Sequence, residues 1–127
     1  MQPVQTRRKH FSFNYSEKLH LQRDFKLVFK KGLKFDAKTV KVLAFKREGK
    51  QIRRLGLVAS AKVGNAVQRN LAKRRLREIF RTNKNNMAQG LDLVFILKPK
   101  IASVKYNELQ KAILDILTKA KLYSSLS

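Results

Sequence analysis

Apolar side chains recur along this chain with two different periods, and these periods predict where helices and strands lie. In the first periodic segment, 19–31, apolar residues stand at helical spacing: Leu21, Phe25, Val28 and Phe29. Gly32 follows at the place of a left-handed C-terminal cap. The pattern predicts a first helix that ends near Lys31.

Alternation of apolar and polar residues marks the strands. A Val-rich alternating run covers 39–45, and a second covers 55–60, after a polar turn around Gly49. The run from Leu91 to Leu97 is almost continuously apolar, as in a strand that is covered on both faces, and Pro99 ends it. We therefore predict two or three neighbouring strands in the middle of the chain and one buried strand later.

Two further helices are predicted on either side of the buried strand. Asn65, a good N-cap, precedes a stretch without a helix breaker up to Arg81. The last helix starts with Ser103 as its candidate N-cap and has one apolar face: Leu109, Ala112, Ile113, Ile116, Leu117 and Ala120. The order helix, strands, helix, strand, helix predicts a single α+β domain, a two-layer sandwich with helices on a small sheet.

The charge balance indicates the class of partner. Thirty Lys and Arg residues against eight Asp and Glu give a formal net charge of +22. The excess positive charges repel one another unless a polyanion neutralises them, which favours a nucleic-acid partner. A basic surface kept for solubility is the alternative, although acidic residues serve solubility better. We assign 1–18 to a basic N-terminal tail and 19–127 to one RNA-binding domain.

Several functional classes are excluded or disfavoured by residues that are missing or scattered. The chain has no cysteine, so it has no disulfide, no thiolate nucleophile and no zinc knuckle. The apolar run Leu93–Leu97 is too short to span a bilayer, and no signal-peptide core follows the basic N-terminus, so we expect a soluble, cytoplasmic protein. No paired acids suit two-metal cleavage, and His10 and His20 lack accompanying carboxylates. We therefore expect neither catalytic residues nor metal ligands in the protein.

The second predicted helix has two distinct flanks. Its apolar residues Ala72, Leu76 and Ile79 point together, at about 100° per residue. Beside them runs a cationic stripe spaced by four: Arg69, Lys73, Arg77 and Arg81. Successive members lie about 6 Å apart along the axis, a spacing commensurate with the phosphates of a nucleic-acid strand. An ordinary solvated helix face would interleave both signs of charge.

The run 59–78, ASAKVGNAVQRNLAKRRLRE, closely resembles the signature of the bacterial ribonuclease P protein component. The similarity extends to Leu19, to the stretch 24–32 (DFKLVFKKG) and to Lys98-Pro99. One position departs from the family's pattern Arg-Asn-Arg, because Leu71 stands where the second Arg is expected. That departure puts one RNA contact in doubt.

This resemblance implies a fold and a function. It implies a βαβ unit with a left-handed crossover, against the usual right-handed preference. It also implies a non-catalytic subunit that helps a catalytic RNA remove the 5′ leader from precursor tRNA, as a monomer in a 1:1 complex, with magnesium held mainly by the RNA. The implied leader-binding residues are Phe25 and Phe29. The implied contacts to the catalytic RNA are Lys62, Asn65, Arg69, Asn70, Lys73, Arg74 and Arg77.

Other interpretations remain open on the residues alone. Composition and the basic helix fit a structural or regulatory nucleic-acid-binding module, such as a ribosomal protein, equally well. An autonomous nuclease would use a metal with scattered acids, drawn from Asp24, Glu78, Asp92 and Glu108. Phe25 and Phe29, four apart on a helix, are also typical of simple core residues.

Overall fold

A four-stranded sheet lies at the centre of the fold. The computed structural model describes residues 13–124. The strands are β1 (Leu33–Asp36), β2 (Val40–Lys46), β3 (Arg54–Val58) and β4 (Leu91–Leu97). Their order across the sheet is β1-β2-β4-β3, with β2 antiparallel to both neighbours and β3 parallel to β4. The almost continuously apolar β4 is therefore an inner strand, whereas β3 lies at an edge.

Three α-helices accompany the sheet: α1 (Gln22–Lys31), α2 (Ala66–Asn83) and α3 (Tyr106–Lys119). Helix α2 connects β3 to its parallel neighbour β4, so these elements form the βαβ unit that the family resemblance implied. The hand of this crossover stays a prediction. The α+β class and the order of elements are confirmed, with three strands between α1 and α2.

The main core lies between the sheet and the pair α2 and α3. Alternate residues of β2 and β4, such as Val42 and Phe95, face Leu76 of α2 and Ile113 of α3, and all four are fully buried. Burying an aliphatic or aromatic side chain of this size contributes about 1.5–3 kcal/mol. This layer therefore supplies most of the apolar stabilisation.

Helix α1 packs on the opposite face of the sheet. Val28 is fully buried there, against Leu43 and Val94, which alternate with the residues of the main core. The two-layer description consequently covers only the sheet with α2 and α3, and α1 adds a partial third layer. Because β4 is covered on both faces, its sequence lacks the polar alternation of a half-exposed strand.

The ends of the helices test the predicted caps. Asn65 is confirmed as the N-cap of α2, because its side chain accepts the Gln68 amide (2.9 Å) and Gln68 Oε1 accepts the Asn65 amide (3.0 Å). The left-handed cap at Gly32 is wrong, since its backbone is extended at φ −72°. A Cβ there would lie 2.5 Å from the carbonyl oxygen of Val28, so close backbone approach is what requires glycine. Ser103 is not the cap of α3 either, because it ends a 3-10 turn and Lys105 takes the N-cap position.

Residues 13–18, which the sequence assigned to the tail, pack against the domain. The Phe13 ring meets Phe80 edge to face, with centroids 5.6 Å apart. Glu17 forms a largely buried ion pair with Lys84, at 2.6 Å between Oε2 and Nζ. The rest of the predicted tail, 1–12, and the predicted surface residue His10 lie outside the described residues.

Candidate nucleic-acid interface

The cationic stripe of α2 is shorter in the structure than in the sequence. Arg81 bonds to Glu78, with Nη2 2.5 Å from Oε2. The Arg81 guanidinium thereby lowers the pKa of the Glu78 carboxyl, and the same hydrogen bond raises the pKa of Arg81. Within residues 13–124, Lys73 and Arg77 form no ion pair. These two cations are therefore available to phosphates.

The loop before α2 is held in one shape by short-range hydrogen bonds. The Ser60 hydroxyl accepts the Lys62 amide at 3.3 Å, and Arg69 Nη1 donates to the carbonyl of Gly64 at 2.5 Å. Gly64 has φ 137°, in the region that favours glycine, and a Cβ there would meet the Gln68 side chain at 2.2 Å. Part of the hydrogen-bonding capacity of Arg69 is thus used within the loop.

The remaining predicted contacts to the catalytic RNA lie on the exposed side of this loop and helix. Lys62 lies in the 3-10 turn Ala61–Val63 and is exposed, and Asn70 and Arg74 are exposed on α2. Leu71, at the family's Arg position, is 41% exposed and brings no charge to this surface. Asn70 and Arg74, four residues apart, lie on one side of α2, and we call this exposed side, together with Lys62, the basic face.

A cleft of about 360 Å³ opens beside the edge strand β3, where the N-terminal segment pairs briefly with Leu55. Because it lies at the edge, it receives side chains from both faces of the sheet. Its walls are drawn from α1, β3, α2 and the N-terminal segment: Phe13, Lys18, Leu19, Phe25, Leu55, Gly56, Leu57, Lys73 and Arg77. Two aromatic rings, Phe13 and Phe25, and three cations thus surround one open groove.

Phe25 and Phe29 occupy different environments. Phe25 is half-buried and lines the cleft, where its ring lies over Gly56 of β3. Phe29 is 38% exposed and is not among the residues of the cleft wall. The structure therefore brings Phe25 together with Lys73 and Arg77 and does not bring Phe29 to them. The leader-binding role of either ring stays a prediction.

A buried ion-pair network fixes α1 on the sheet beside the cleft. Arg54 of β3 donates two hydrogen bonds to the carboxylate of Asp92 on β4, from Nε (2.9 Å) and Nη2 (2.7 Å). Its Nη1 donates a third to the carboxylate of Asp24 on α1 at 3.2 Å. Arg47 Nε lies 3.1 Å from the same Asp92 carboxylate, which is 1% exposed. Hydrogen bonding to Asp92 raises the pKa of Arg54. This network positions the helix that carries Phe25.

Of the four acids considered for a nuclease, three are paired with arginines, and Glu108 lies in the first turn of α3. Asp24 and Asp92 both pair with Arg54, and Glu78 pairs with Arg81. Among residues 13–124, no group of three His, Cys, Asp or Glu side chains could hold a metal ion. None of the described helices is long and apolar enough to cross a bilayer.

Sequence reasoning missed the contribution of Phe13, Lys18 and Leu57 to the cleft. Lys18 and Phe13 lay in the segment assigned to the tail, and Leu57 is an ordinary strand residue. Periodicity carries no signal for such residues, because they meet only where an edge strand, two helices and an N-terminal segment converge.

The fold and this site define a class of protein: a small, basic, single-domain α+β RNA-binding protein. The family model described as Ribonuclease P matches residues 13–121. The chain therefore belongs to the ribonuclease P protein component family. Its function is that of the protein subunit of this endoribonuclease, in tRNA processing.

Individual relatives agree with this assignment. The ribonuclease P protein component of Thermotoga sp. strain RQ2 is 38% identical over 112 residues, which cover 85% of this chain and 95% of that protein. The RNase P protein structure from Thermotoga maritima superposes with a TM-score of 0.72 at 37% identity, covering 81% of this chain and 96% of that one. The Staphylococcus aureus RNase P protein gives 0.76 at 27% identity, with 85% and 98% covered.

Proposed function

We propose that the cleft at the edge of β3 binds the single-stranded 5′ leader of precursor tRNA. The observation that carries this proposal is the meeting of the Phe25 ring with Lys73 and Arg77 in one groove. Unpaired nucleic acid is bound by such a combination, in which cations follow the phosphates and aromatic rings stack on bases.

The exposed basic face around the start of α2 is proposed to bind the catalytic RNA. Lys62, Asn70 and Arg74 are exposed there, and Arg69 and Asn65 shape the loop between them. The family resemblance implied that Lys73 and Arg77 contact the same partner. Because both residues also line the cleft, their position supports a contact with the leader as well. Helix α2 would then lie between the catalytic RNA and the precursor tRNA.

The chemistry is proposed to belong to the catalytic RNA. Phosphodiester hydrolysis with magnesium needs carboxylates or phosphates as ligands. Asp24, Asp92 and Glu78 are paired with arginines, and no three described His, Cys, Asp or Glu side chains are grouped so that they could hold a metal ion. We therefore propose that the catalytic RNA, and not the protein, holds the magnesium. One protein would bind one catalytic RNA, in the cytoplasm.

The test is cleavage of precursor tRNA by purified chain with magnesium, with and without the cognate catalytic RNA. We expect no cleavage by the protein alone, and cleavage by the reconstituted complex at lower magnesium than by the RNA alone, because protein cations neutralise phosphates. Affinity of the complex for precursor and for mature tRNA is measured in parallel. Equal affinity for both, or cleavage by RNA-free protein, would overturn the proposal.

A further inference from the structure

Two rings near the cleft have no role in the function proposed above. Tyr15 and His20 are stacked, with ring centroids 4.2 Å apart and planes inclined by 25°. Tyr15 is nevertheless 75% exposed, and His20 is exposed as well. An aromatic ring that packs for stability buries most of its area, so this pair contributes little to the core.

The segment that carries the rings is anchored to the domain at two residues, Glu17 and Leu19. Glu17 accepts the Asn14 amide at 2.8 Å, and its carboxylate is also paired with Lys84 in a largely buried contact. Next to His20, the Leu19 amide donates to the carbonyl of Leu55 at 2.9 Å, on the edge strand β3. The two rings are therefore ordered before any ligand binds, which lowers the entropic cost of binding on them.

The stacked pair adjoins the cleft along the chain. Lys18 and Leu19 lie between Tyr15 and His20 in sequence, and both line the cleft. Lys18 Nζ lies 5.5 Å from the centroid of the Phe13 ring, so this cation is held at the cleft wall rather than directed away from it. A nucleic-acid strand that leaves the cleft past Lys18 would therefore find the exposed Tyr15 ring only three residues away in the chain.

We propose that Tyr15, backed by His20, is a stacking platform for one unpaired nucleobase of the leader, beyond the nucleotides held in the cleft. Every base offers a flat face, and the phosphate next to it would lie near Lys18. A second copy of this chain is disfavoured as the occupant, because each copy carries a formal charge of +22. The inference rests on the proposed leader-binding function of the cleft.

The test uses the reconstituted protein–RNA complex with precursor tRNAs that carry the fluorescent base 2-aminopurine at successive leader positions. Stacking quenches this fluorophore. We expect Tyr15→Leu to increase emission at one leader position and to weaken precursor affinity about tenfold. Tyr15→Phe keeps the aromatic ring and should show the wild-type emission and affinity. A precursor whose leader is cut short of that position should bind the wild type and Tyr15→Leu equally. Leu33→Ala, at an exposed position on the opposite edge strand β1, is the surface control.

The outcomes separate this inference from the proposed function. If Tyr15→Leu changes neither emission nor affinity while the wild type still prefers precursor over mature tRNA, the platform is wrong and the cleft assignment stands. Equal weakening of precursor and mature tRNA by Tyr15→Leu would also overturn the platform. If the wild type itself shows no preference for precursor, the proposed function fails and the platform fails with it. Thermal unfolding of each variant confirms that it is folded.

Discussion

Phe25 of α1 and Gly56 of β3 are in direct contact across the floor of the cleft: a Cβ atom on Gly56 would lie 2.6 Å from Cε1 of the ring. The backbone of an edge strand and an aromatic ring from the helix above it can approach this closely only without a side chain between them. The orientation of the ring in the cleft therefore depends on a glycine in another element.

Gly56→Ala should displace the Phe25 ring. Overpacking of this kind typically costs about 1–3 kcal/mol, so we expect a lower midpoint of chemical denaturation together with weaker binding of precursor tRNA. Phe25→Leu in the same chain should relieve part of the stability loss, because leucine lacks the atoms that clash. A double-mutant cycle on the free energy of unfolding measures this coupling. Additive effects would show that the two residues do not meet as described.

Phe25→Leu should weaken binding of precursor tRNA by roughly an order of magnitude and leave mature tRNA almost unaffected, because stacking on an unpaired base is worth about 1–3 kcal/mol. Phe29→Leu should have a smaller effect, since Phe29 is outside the cleft wall. Affinities of both variants for both tRNAs, measured at one salt concentration, decide between the rings. A larger precursor-specific loss for Phe29→Leu would place the leader on the outer side of α1.

Arg77→Ala should weaken RNA binding without unfolding the domain, because Arg77 is exposed on the cleft side of α2. A salt titration should show a slope shallower by about one unit for each lost phosphate contact. The matched control is the preceding residue: Leu76 is fully buried, and Leu76→Ala should cost roughly 2–5 kcal/mol of stability through a cavity. Unchanged affinity and slope for Arg77→Ala would remove it from the interface.

Asp92→Asn should destabilise the fold strongly. The change leaves Arg54 and Arg47 without their shared buried counter-charge, and breaking such a buried pair typically costs about 3–5 kcal/mol. The exposed pair Lys111–Asp115 on α3 offers the control, because Asp115→Asn should change stability by less than about 1 kcal/mol. Urea denaturation of both variants is the measurement, and a similar small effect for each would show that Arg54 does not depend on Asp92.

Local patterns in the sequence determined most of the secondary structure. The N-cap at Asn65, the helix that follows it and the extent of β4 are all as predicted, because each depends on neighbours within a few residues. The prediction was wrong at Gly32 and Ser103, where the backbone is decided by a contact or turn that the residue type alone does not reveal. Composition determined that the chain is strongly basic, and the long signature around α2 determined its family.

Only the tertiary structure decided which residues share a site. Phe25 lies on one face of the sheet, and Lys73 and Arg77 lie on the other. They line the same cleft because β3 is an edge strand, where side chains from both faces can come together. Strand order and edge position arise from long-range pairing, here of β3 with β4 rather than with β2. Residues 13–19 join the site through contacts with Phe80, Lys84 and Leu55, far away in the chain. No period or motif encodes such pairings, because their stability depends on surfaces that exist only after the sheet has formed.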